Sequence, residues 1–208
     1  MKSLIAICLC TLAVPLIAQT KVQTFTSTDG DFQFKYSSAL IHCTQRPTKP
    51  GENVGWVEEA CSSQGDLCDD DATSGATFLC LAYPKDKFKD KPAFVAAVFF
   101  VGLVAAATTQ KSCLEGSQVW LVNDARTTRI NGINARLVHT SDAWTSGGES
   151  GEIYRVFHGN RCYELGIQEV ESSTGSYDPG TFQEFTVKDR AEVHASLQQP
   201  LDSFKFLN

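Results

Sequence analysis

The sequence lacks the short motifs that mark the common catalytic and nucleotide-binding sites. It contains no GxSxG nucleophile turn, no HExxH zinc-binding helix, no glycine-rich phosphate loop and no EF-hand calcium loop. These absences exclude the enzyme families that carry such motifs. They do not exclude an enzyme with scattered residues, because catalytic triads are defined by geometry rather than by sequence order.

The chain also lacks closely spaced cysteines or histidines of the kind that form a metal-binding motif. No pair of cysteines is separated by two residues, and the step from Cys61 to Cys68 is wider than the usual spacing of zinc ligands. None of the histidines is spaced with another for metal binding. The histidines are His42, His139, His158 and His194. We therefore expect neither a metal centre nor a cofactor.

Basic residues are outnumbered: 18 lysines and arginines stand against 24 aspartates and glutamates, for a formal net charge of −6. An acidic chain is a poor candidate for binding nucleic acid or anionic lipid, so neither is an expected partner. Four carboxylates, Asp66, Asp69, Asp70 and Asp71, offer oxygen ligands of the kind that calcium takes. Their spacing lacks the alternation of a calcium loop, which favours a solvated surface loop and leaves calcium as the alternative.

Long apolar runs are scarce, and the first of two lies at the N-terminus. A basic residue, the apolar stretch 4–14 and the small residue Ala18 predict a secretory signal peptide over residues 1–18, cleaved after Ala18. A lipoprotein anchor at Cys8 or Cys10 and a retained membrane anchor are the alternatives. We expect a secreted or periplasmic protein with a single domain over residues 19–208.

The second apolar run covers residues 93–107, fewer than the roughly 20 residues that a membrane-spanning helix needs. Its β-branched and aromatic residues favour a buried strand over residues 94–103. This strand is expected to be antiparallel to residues 77–83. The sequence thus predicts no stable membrane span once the signal is removed.

Six of the eight cysteines lie beyond the predicted signal peptide. They are Cys43, Cys61, Cys68, Cys80, Cys113 and Cys162. An even number of cysteines in an exported chain predicts disulfide bonds. The sequence does not choose among the possible pairings. The working prediction is Cys61–Cys68, Cys43–Cys80 and Cys113–Cys162.

Turn-forming residues predict two β-hairpins in addition to a third one at residues 151–170. One spans residues 22–36 around Asp29-Gly30, and the other spans residues 127–140 around Asn131-Gly132. The polar, glycine-containing stretch 141–151 is expected to be a flexible loop. These elements indicate an antiparallel sheet.

The stretch Gly151–Val170 predicts a central hairpin with Gly159 and Asn160 in its turn. In this register Arg155 faces Glu164 as an ordinary cross-strand ion pair. The alternating apolar residues form a core face. They are Tyr154, Val156, Tyr163, Leu165 and Ile167.

Helical spacing appears in two places. A short helix is expected to begin near Thr108 or Thr109 and to reach Leu114. A C-terminal helix is expected to dock through an apolar stripe and to be kinked or ended by Pro200. The stripe consists of Val193, Leu197, Leu201 and Phe204. Helices packed on an antiparallel sheet make an α+β sandwich.

Several of these stretches resemble the PsbP-like fold. They are the DGxFxFxY pattern at Asp29–Tyr36, the strand end Tyr83-Pro84 and the terminal LDSFKF at Leu201–Phe206. The stretches Tyr154–Leu165 and Leu201–Asn208 are also similar to small secreted bacterial proteins of unknown function. The resemblance implies an α/β/α sandwich, with the antiparallel sheet flanked by helices. It also implies an accessory or binding role, and it carries over no functional residue.

Three functions follow as hypotheses. The first is a non-enzymatic binding or accessory domain of the cell envelope or extracellular space, whose partner is a protein or a small-molecule ligand. The alternatives are a secreted hydrolase with scattered catalytic residues and a structural envelope component. The candidate ligand or partner residues lie on or beside the central hairpin. They are Asp142, Trp144, Arg155, His158 and Glu164. The alternative for them is structural: Arg155 and Glu164 as a strand pair, and Trp144 packed inward.

Overall fold

The structure, a computed structural model, describes residues 21–43, 61, 65–68, 76–115, 125–173, 175, 178, 180 and 182–207. The strands are β1 (Val22–Thr26), β2 (Phe32–Ser37), β3 (Ile41–Cys43), β4 (Ala76–Ala82), β5 (Phe94–Leu103), β6 (Arg126–Ile130), β7 (Ile133–Trp144), β8 (Gly147–His158), β9 (Arg161–Ser172) and β10 (Lys205–Phe206). Within these ranges, the α-helices with described bounds are Gln110–Glu115 (α1) and Val187–Ser203 (α2), and short 3₁₀ helices span Gly65–Cys68 and Lys85–Phe88.

The strands form two antiparallel sheets. The larger has seven strands in the order β3-β4-β5-β9-β8-β7-β6, and the smaller has the order β1-β2-β10. The predicted antiparallel sheet is therefore confirmed. So is the strand at residues 94–103, which pairs antiparallel with β4 rather than forming a helix. Within the described ranges, no helix combines the length and the apolar character that crossing a membrane requires.

The central hairpin has the predicted register. Arg155 faces Glu164, His158 faces Arg161, and the turn residues Gly159 and Asn160 both have positive φ, 54° and 63°. Positive φ at both central positions belongs to the turn type that matches strand twist. The predicted hairpins at residues 22–36 and 127–140 are confirmed as well.

One face of the large sheet, the helix-covered face, packs against α2 and the small sheet. Val193, Leu197 and Leu201 of α2 are buried there, as the apolar stripe predicts. Pro200 does not end the helix, which continues to Ser203. Because Pro200 lies in the last turn, it removes a single intrahelical hydrogen bond while remaining buried.

The opposite face, the disulfide face, carries three disulfides: Cys43–Cys61, Cys68–Cys80 and Cys113–Cys162. The predicted Cys113–Cys162 pair is confirmed, and the predicted Cys61–Cys68 and Cys43–Cys80 pairs are wrong. Cys43 and Cys80 do face each other across β3 and β4, but each bonds to a cysteine of the connection between these strands. This arrangement fastens the connection to the sheet at two points.

The predicted flanking helices are confirmed in part. On the helix-covered face α2 is a full helical layer of 17 residues. On the disulfide face α1 has six residues and is joined to β9 through Cys113–Cys162. The Thr109 hydroxyl accepts a hydrogen bond from the Ser112 backbone N–H at 3.1 Å, which explains why this helix begins where the sequence indicates.

The stretch 141–151 is a hairpin and not a flexible loop. β7 continues to Trp144, and β8 begins at Gly147, so the turn consists of Thr145 and Ser146. The glycines of β8 allow close strand approach: a Cβ added to Gly151 would lie 2.6 Å from the Ile167 carbonyl oxygen. Glycine here marks close packing, whereas the sequence pattern is typical of a loop.

Several expectations concern residues outside the described part of the chain. These include the signal peptide at residues 1–18 and the carboxylates Asp69, Asp70 and Asp71. The backbone at Asp66 belongs to the 3₁₀ helix Gly65–Cys68. The calcium alternative and the cleavage site remain predictions.

Candidate functional site

The five residues singled out from the sequence lie in three separate places. Asp142 and Trp144 lie at the outer end of the β7–β8 hairpin, whereas His158 ends β8 at the opposite end. The 12 residues of β8 span roughly 36 Å at the usual rise per residue. Arg155 and Glu164 lie between these ends on the disulfide face. The five residues therefore do not form one site.

Arg155 and Glu164 face each other as the sequence predicts, and they form a buried ion pair. Their exposed fractions are 5% and 1%, and Arg155 Nε donates to Glu164 Oε2 at 2.9 Å. Arg136 lies opposite Arg155 on β7, and its Nη1 donates to the Leu114 carbonyl oxygen near the end of α1 at 2.9 Å. Arg136, Arg155 and Glu164 together form a polar row across β7, β8 and β9. Arg136 joins this row to α1, because a cation satisfies a carbonyl at a helix C-terminus.

His158 belongs to a group of contacts, called the brace here, that joins the β8–β9 turn to β10 and to the turn of the β1–β2 hairpin. Its ring stacks on Phe206 with a centroid distance of 4.0 Å. Beside it, Arg161 Nη1 donates to carboxylate oxygens of Asp29 at 3.0 Å and of Asp31 at 2.8 Å. A hydrogen bond from the Ser27 side chain, with help from Arg161, lowers the pKa of Asp29 to about 2. The polar groups here pair with one another across two hairpins, which is a structural arrangement.

A second part of this brace involves the hydroxyl of Tyr163. This hydroxyl donates to Asp31 Oδ2 at 2.9 Å. Burial, followed by the hydrogen bond to Asp31, raises the pKa of Tyr163 to about 12. The phenol is therefore held in its neutral, hydrogen-bond-donating form at physiological pH.

The outer end of the β7–β8 hairpin presents an aromatic side chain to solvent. Trp144 is 46% exposed, so the alternative of inward packing is wrong. Asp142 turns back on its own strand, with Oδ1 accepting from the Ala143 N–H at 2.8 Å. Because alternate residues of a strand share a face, Trp144 and Asp142 lie on the same side of the ribbon.

β7 extends as a strand beyond the part that pairs with β6. β6 pairs with β7 as far as Leu137, and among the described strands β8 is the partner of the stretch 138–144. The sequence does not predict this extension, because a polar, glycine-containing stretch is typical of a loop.

Carboxylates cluster around this outer end. They are Asp142, Glu149, Glu152, Glu169 and Glu171. Several have partners: Glu149 Oε1 accepts from Gln168 at 2.8 Å, and Glu171 forms a two-point pair with Arg190 at 2.5 and 2.6 Å. Burial raises the pKa of Glu169, while His194 at 3.5 Å opposes that shift. The hairpin end is therefore acidic, with an aromatic residue at its tip.

No protein-family model matches the sequence, and no curated protein matches it either. The structure is similar to the solution structure of cyanobacterial PsbP (CyanoP) from Synechocystis sp. PCC 6803, with 9% identity, a TM-score of 0.40, and coverage of 94% of this chain and 98% of that chain. It is also similar to the Saccharomyces cerevisiae Ran-binding protein Mog1p, with 12% identity, a TM-score of 0.43, and coverage of 89% and 95%.

A third similar structure is LpqN, which is involved in cell envelope biogenesis of Mycobacterium tuberculosis. The identity is 6% and the TM-score 0.41, with coverage of 91% of this chain and 92% of that chain. A PsbP protein is thus among the structures to which this chain is similar, as the sequence resemblance predicts. None of the three likenesses carries an argument about function.

Proposed function

We propose that the chain is an exported, non-enzymatic accessory domain that binds a partner protein through the outer end of the β7–β8 hairpin. The observation that carries the proposal is the half-exposed Trp144 at the outer end of the β7–β8 hairpin, among the carboxylates that cluster there. Tryptophan is enriched among the residues that dominate binding energy at interfaces.

Charge around the hairpin narrows the chemistry of this partner. The carboxylates Asp142, Glu149 and Glu152 lie on the same ribbon as Trp144. Complementary potentials steer association and disfavour wrong partners. The partner surface is therefore basic, with an apolar side chain that packs on the indole ring.

Site-specific cross-linking tests the location of the surface. A photoreactive phenylalanine analogue replaces Trp144 in one variant and Val187 in a control variant, because Val187 is another exposed apolar residue, at 79%. The proposal expects an adduct with one envelope protein at position 144 and none at position 187. Equal adducts at both positions would show that the surface is not selective.

Affinity measurements with the purified cross-linked partner then decide the role of the indole ring. Trp144→Ala is expected to weaken binding about 30-fold, the change that corresponds to about 2 kcal/mol at an interface hot spot. Val187→Ala is expected to leave the affinity unchanged. Unaltered binding by Trp144→Ala would remove the main support for this function.

A thermal-shift screen of the mature, oxidised protein separates the proposal from its alternatives. The screen covers metals, sugars and envelope fragments, since any ligand that binds only the folded state raises the melting temperature. A protein that nothing stabilises and that no partner accompanies on purification fits a structural envelope component instead. A secreted hydrolase would require a pocket with a nucleophile beside a base.

A further inference from the structure

The turn between β6 and β7 joins the large sheet to the C-terminal end of α2. Asn131 lies in this turn, and its side-chain Nδ2 donates to the Phe204 carbonyl oxygen and, at 3.3 Å, to the Asp202 carbonyl oxygen. Asp202 belongs to the last turn of α2, and Phe204 is the residue that caps the helix. Carbonyl groups at a helix C-terminus lack intrahelical partners, and the Asn131 amide supplies hydrogen bonds to two of them.

The sequence at this amide is chemically reactive. Asn131 is followed by Gly132, and it is the sole asparagine in the chain with a glycine after it. The backbone nitrogen that follows an asparagine can attack the carbon of the side-chain amide. This attack is fastest when the next residue is glycine, because glycine has no Cβ to obstruct the approach. The dipeptide that predicts the hairpin turn is therefore also a site of self-modification.

The folded turn leaves room for this reaction. Asn131 and Gly132 are both exposed, and a Cβ placed on Gly132 would meet no atom of the described residues within 4 Å. Both residues have positive φ, 48° and 87°, a conformation that glycine adopts without strain and asparagine tolerates. Water therefore reaches the peptide between them, and the open space around Gly132 allows this peptide to rotate.

We propose that Asn131 is a modification site at which deamidation detaches the β6–β7 turn from the end of α2. The Gly132 nitrogen bonds to Cγ of Asn131 as the bond between Cγ and Nδ2 breaks. Nδ2 leaves as ammonia, with the proton that the Gly132 nitrogen loses. The succinimide ring so formed takes up one water molecule, which breaks either of its two carbonyl–nitrogen bonds and gives an aspartyl or an isoaspartyl residue. Water is the co-reactant, and nothing is oxidised or reduced.

The product turns an attractive contact into a repulsive one. An ionised carboxylate has no proton to donate, so the carbonyl oxygens of Asp202 and Phe204 then face an acceptor. The C-terminal end of a helix also carries a partial negative charge, which disfavours an anion. Because β10 begins at Lys205, directly after Phe204, the released contact lies at the junction of the β6–β7 hairpin, α2 and the small sheet.

Peptide mapping by mass spectrometry tests for the modification in the full chain, kept folded in mildly alkaline buffer. Asn160 is the internal control, because it also lies in a hairpin turn with positive φ but is followed by Arg161. We expect position 131 to exchange its amide for an acid about tenfold faster than position 160, since arginine has the Cβ that glycine lacks. Equal rates at the two positions, or an unchanged amide at position 131, would overturn the proposal.

Hydrogen exchange of a variant measures the structural consequence. Asn131→Asp places the carboxylate in the turn without the reaction. We expect amides in the last turn of α2 to exchange about tenfold faster in this variant, as the loss of one or two hydrogen bonds predicts. Asn160→Asp makes the same charge change in the β8–β9 turn and should leave these α2 amides unchanged. Equal protection of α2 in Asn131→Asp and in the wild type would contradict the release of the turn.

Discussion

The two faces of the seven-stranded sheet are held by different means. On the helix-covered face large apolar side chains pack in one continuous cluster, with aromatic rings such as Phe34 and Phe99 at a centroid distance of 5.4 Å. On the disulfide face the apolar residues fall into two smaller clusters, and all three disulfides lie there. The buried ion pair Arg155–Glu164 also lies on this second face.

The difference shows how both faces of a sheet can be buried although one face has fewer apolar side chains packed against it. The stabilising free energy of hydrophobic burial is proportional to the apolar area removed from water. A thin covering layer therefore contributes less stability than a helix and a second sheet. Covalent bonds restrict the unfolded chain and do not depend on that area. The disulfide face therefore relies on cross-links and on one polar row where the helix-covered face relies on packing.

The largest effect is expected at the buried ion pair. Glu164→Gln removes the negative charge that faces the buried Arg155 guanidinium, which should lower the free energy of unfolding by about 3–5 kcal/mol. Urea denaturation followed by circular dichroism measures this change. If the substitution costs less than about 1 kcal/mol, the polar row is not a main support of this face.

A double variant serves as the control for that measurement. Arg155→Met combined with Glu164→Leu replaces both charges with apolar groups of similar length. Such replacements are often neutral or stabilising, so we expect the double variant to be more stable than Glu164→Gln alone. A double variant as unstable as the single one would assign the loss to shape and not to charge.

The next largest effect concerns the cross-link between α1 and β9. Replacing Cys113 and Cys162 with alanine opens a loop that joins residues 49 apart in sequence, and should lower the free energy of unfolding by about 2–4 kcal/mol. Comparison of denaturation midpoints for the oxidised proteins measures the loss. A change below about 0.5 kcal/mol would mean that the packing of α1, and not the bond, holds this part of the face.

A smaller effect is expected where an aromatic ring packs directly on a glycine of the disulfide face. The ring of Phe100 lies over Gly166, and an added Cβ would meet it at 2.0 Å. Gly166→Ala should therefore cost about 1–3 kcal/mol, the usual range for overpacking. Gly175→Ala, where the nearest atom would be 3.5 Å away, is the matched control and should be close to neutral. Combining Gly166→Ala with Phe100→Leu should recover part of the loss.

Much of the helix-covered face could be predicted from the sequence, because its signals are local. Strand alternation placed Tyr163, Leu165 and Ile167 on one side, and the turn residues Gly159 and Asn160 set the register. The apolar stripe of α2 identified the docking side of that helix. These features depend on spacing within one element or one hairpin, which the chain order preserves.

The disulfide face and the candidate site could not be predicted in the same way. The pairing of Cys43 with Cys61 depends on how the connection between β3 and β4 folds back, which spacing does not encode. The neighbouring Arg136, which faces Arg155, bonds to the Leu114 carbonyl oxygen of α1, an element far away in sequence. The strand character of residues 141–151 was hidden because polar and glycine residues there are typical of loops.

The helix-covered face also contains an ion pair that depends on pH, at the start of α2. The helical cover of one face begins at a capping box, in which Thr186 and Asp189 exchange hydrogen bonds, and Lys91 Nζ lies 2.5 Å from Asp189 Oδ2. The hydrogen bond from Lys91, followed by that from the Thr186 N–H, lowers the pKa of Asp189 from 3.8 to about 2. Because the pKa is depressed in the folded state, the ionised Asp189 stabilises the fold fully above pH 3.8. This stabilisation is lost as the pH falls through about 2.

Asp189→Asn tests this dependence, because it removes the titration while keeping a side chain that can accept a hydrogen bond. Wild type should exceed the variant in stability at pH values above 3.8, and the difference should shrink as the pH falls from 3.8 to 2. Hydrogen exchange of α2 amides reports the loss locally. Amides near the Cys113–Cys162 disulfide should show no matching change, since a disulfide does not titrate. A difference between the proteins that stays constant over this pH range would show that Asp189 acts through its shape, and the acid sensitivity of the helix-covered face would then lie elsewhere.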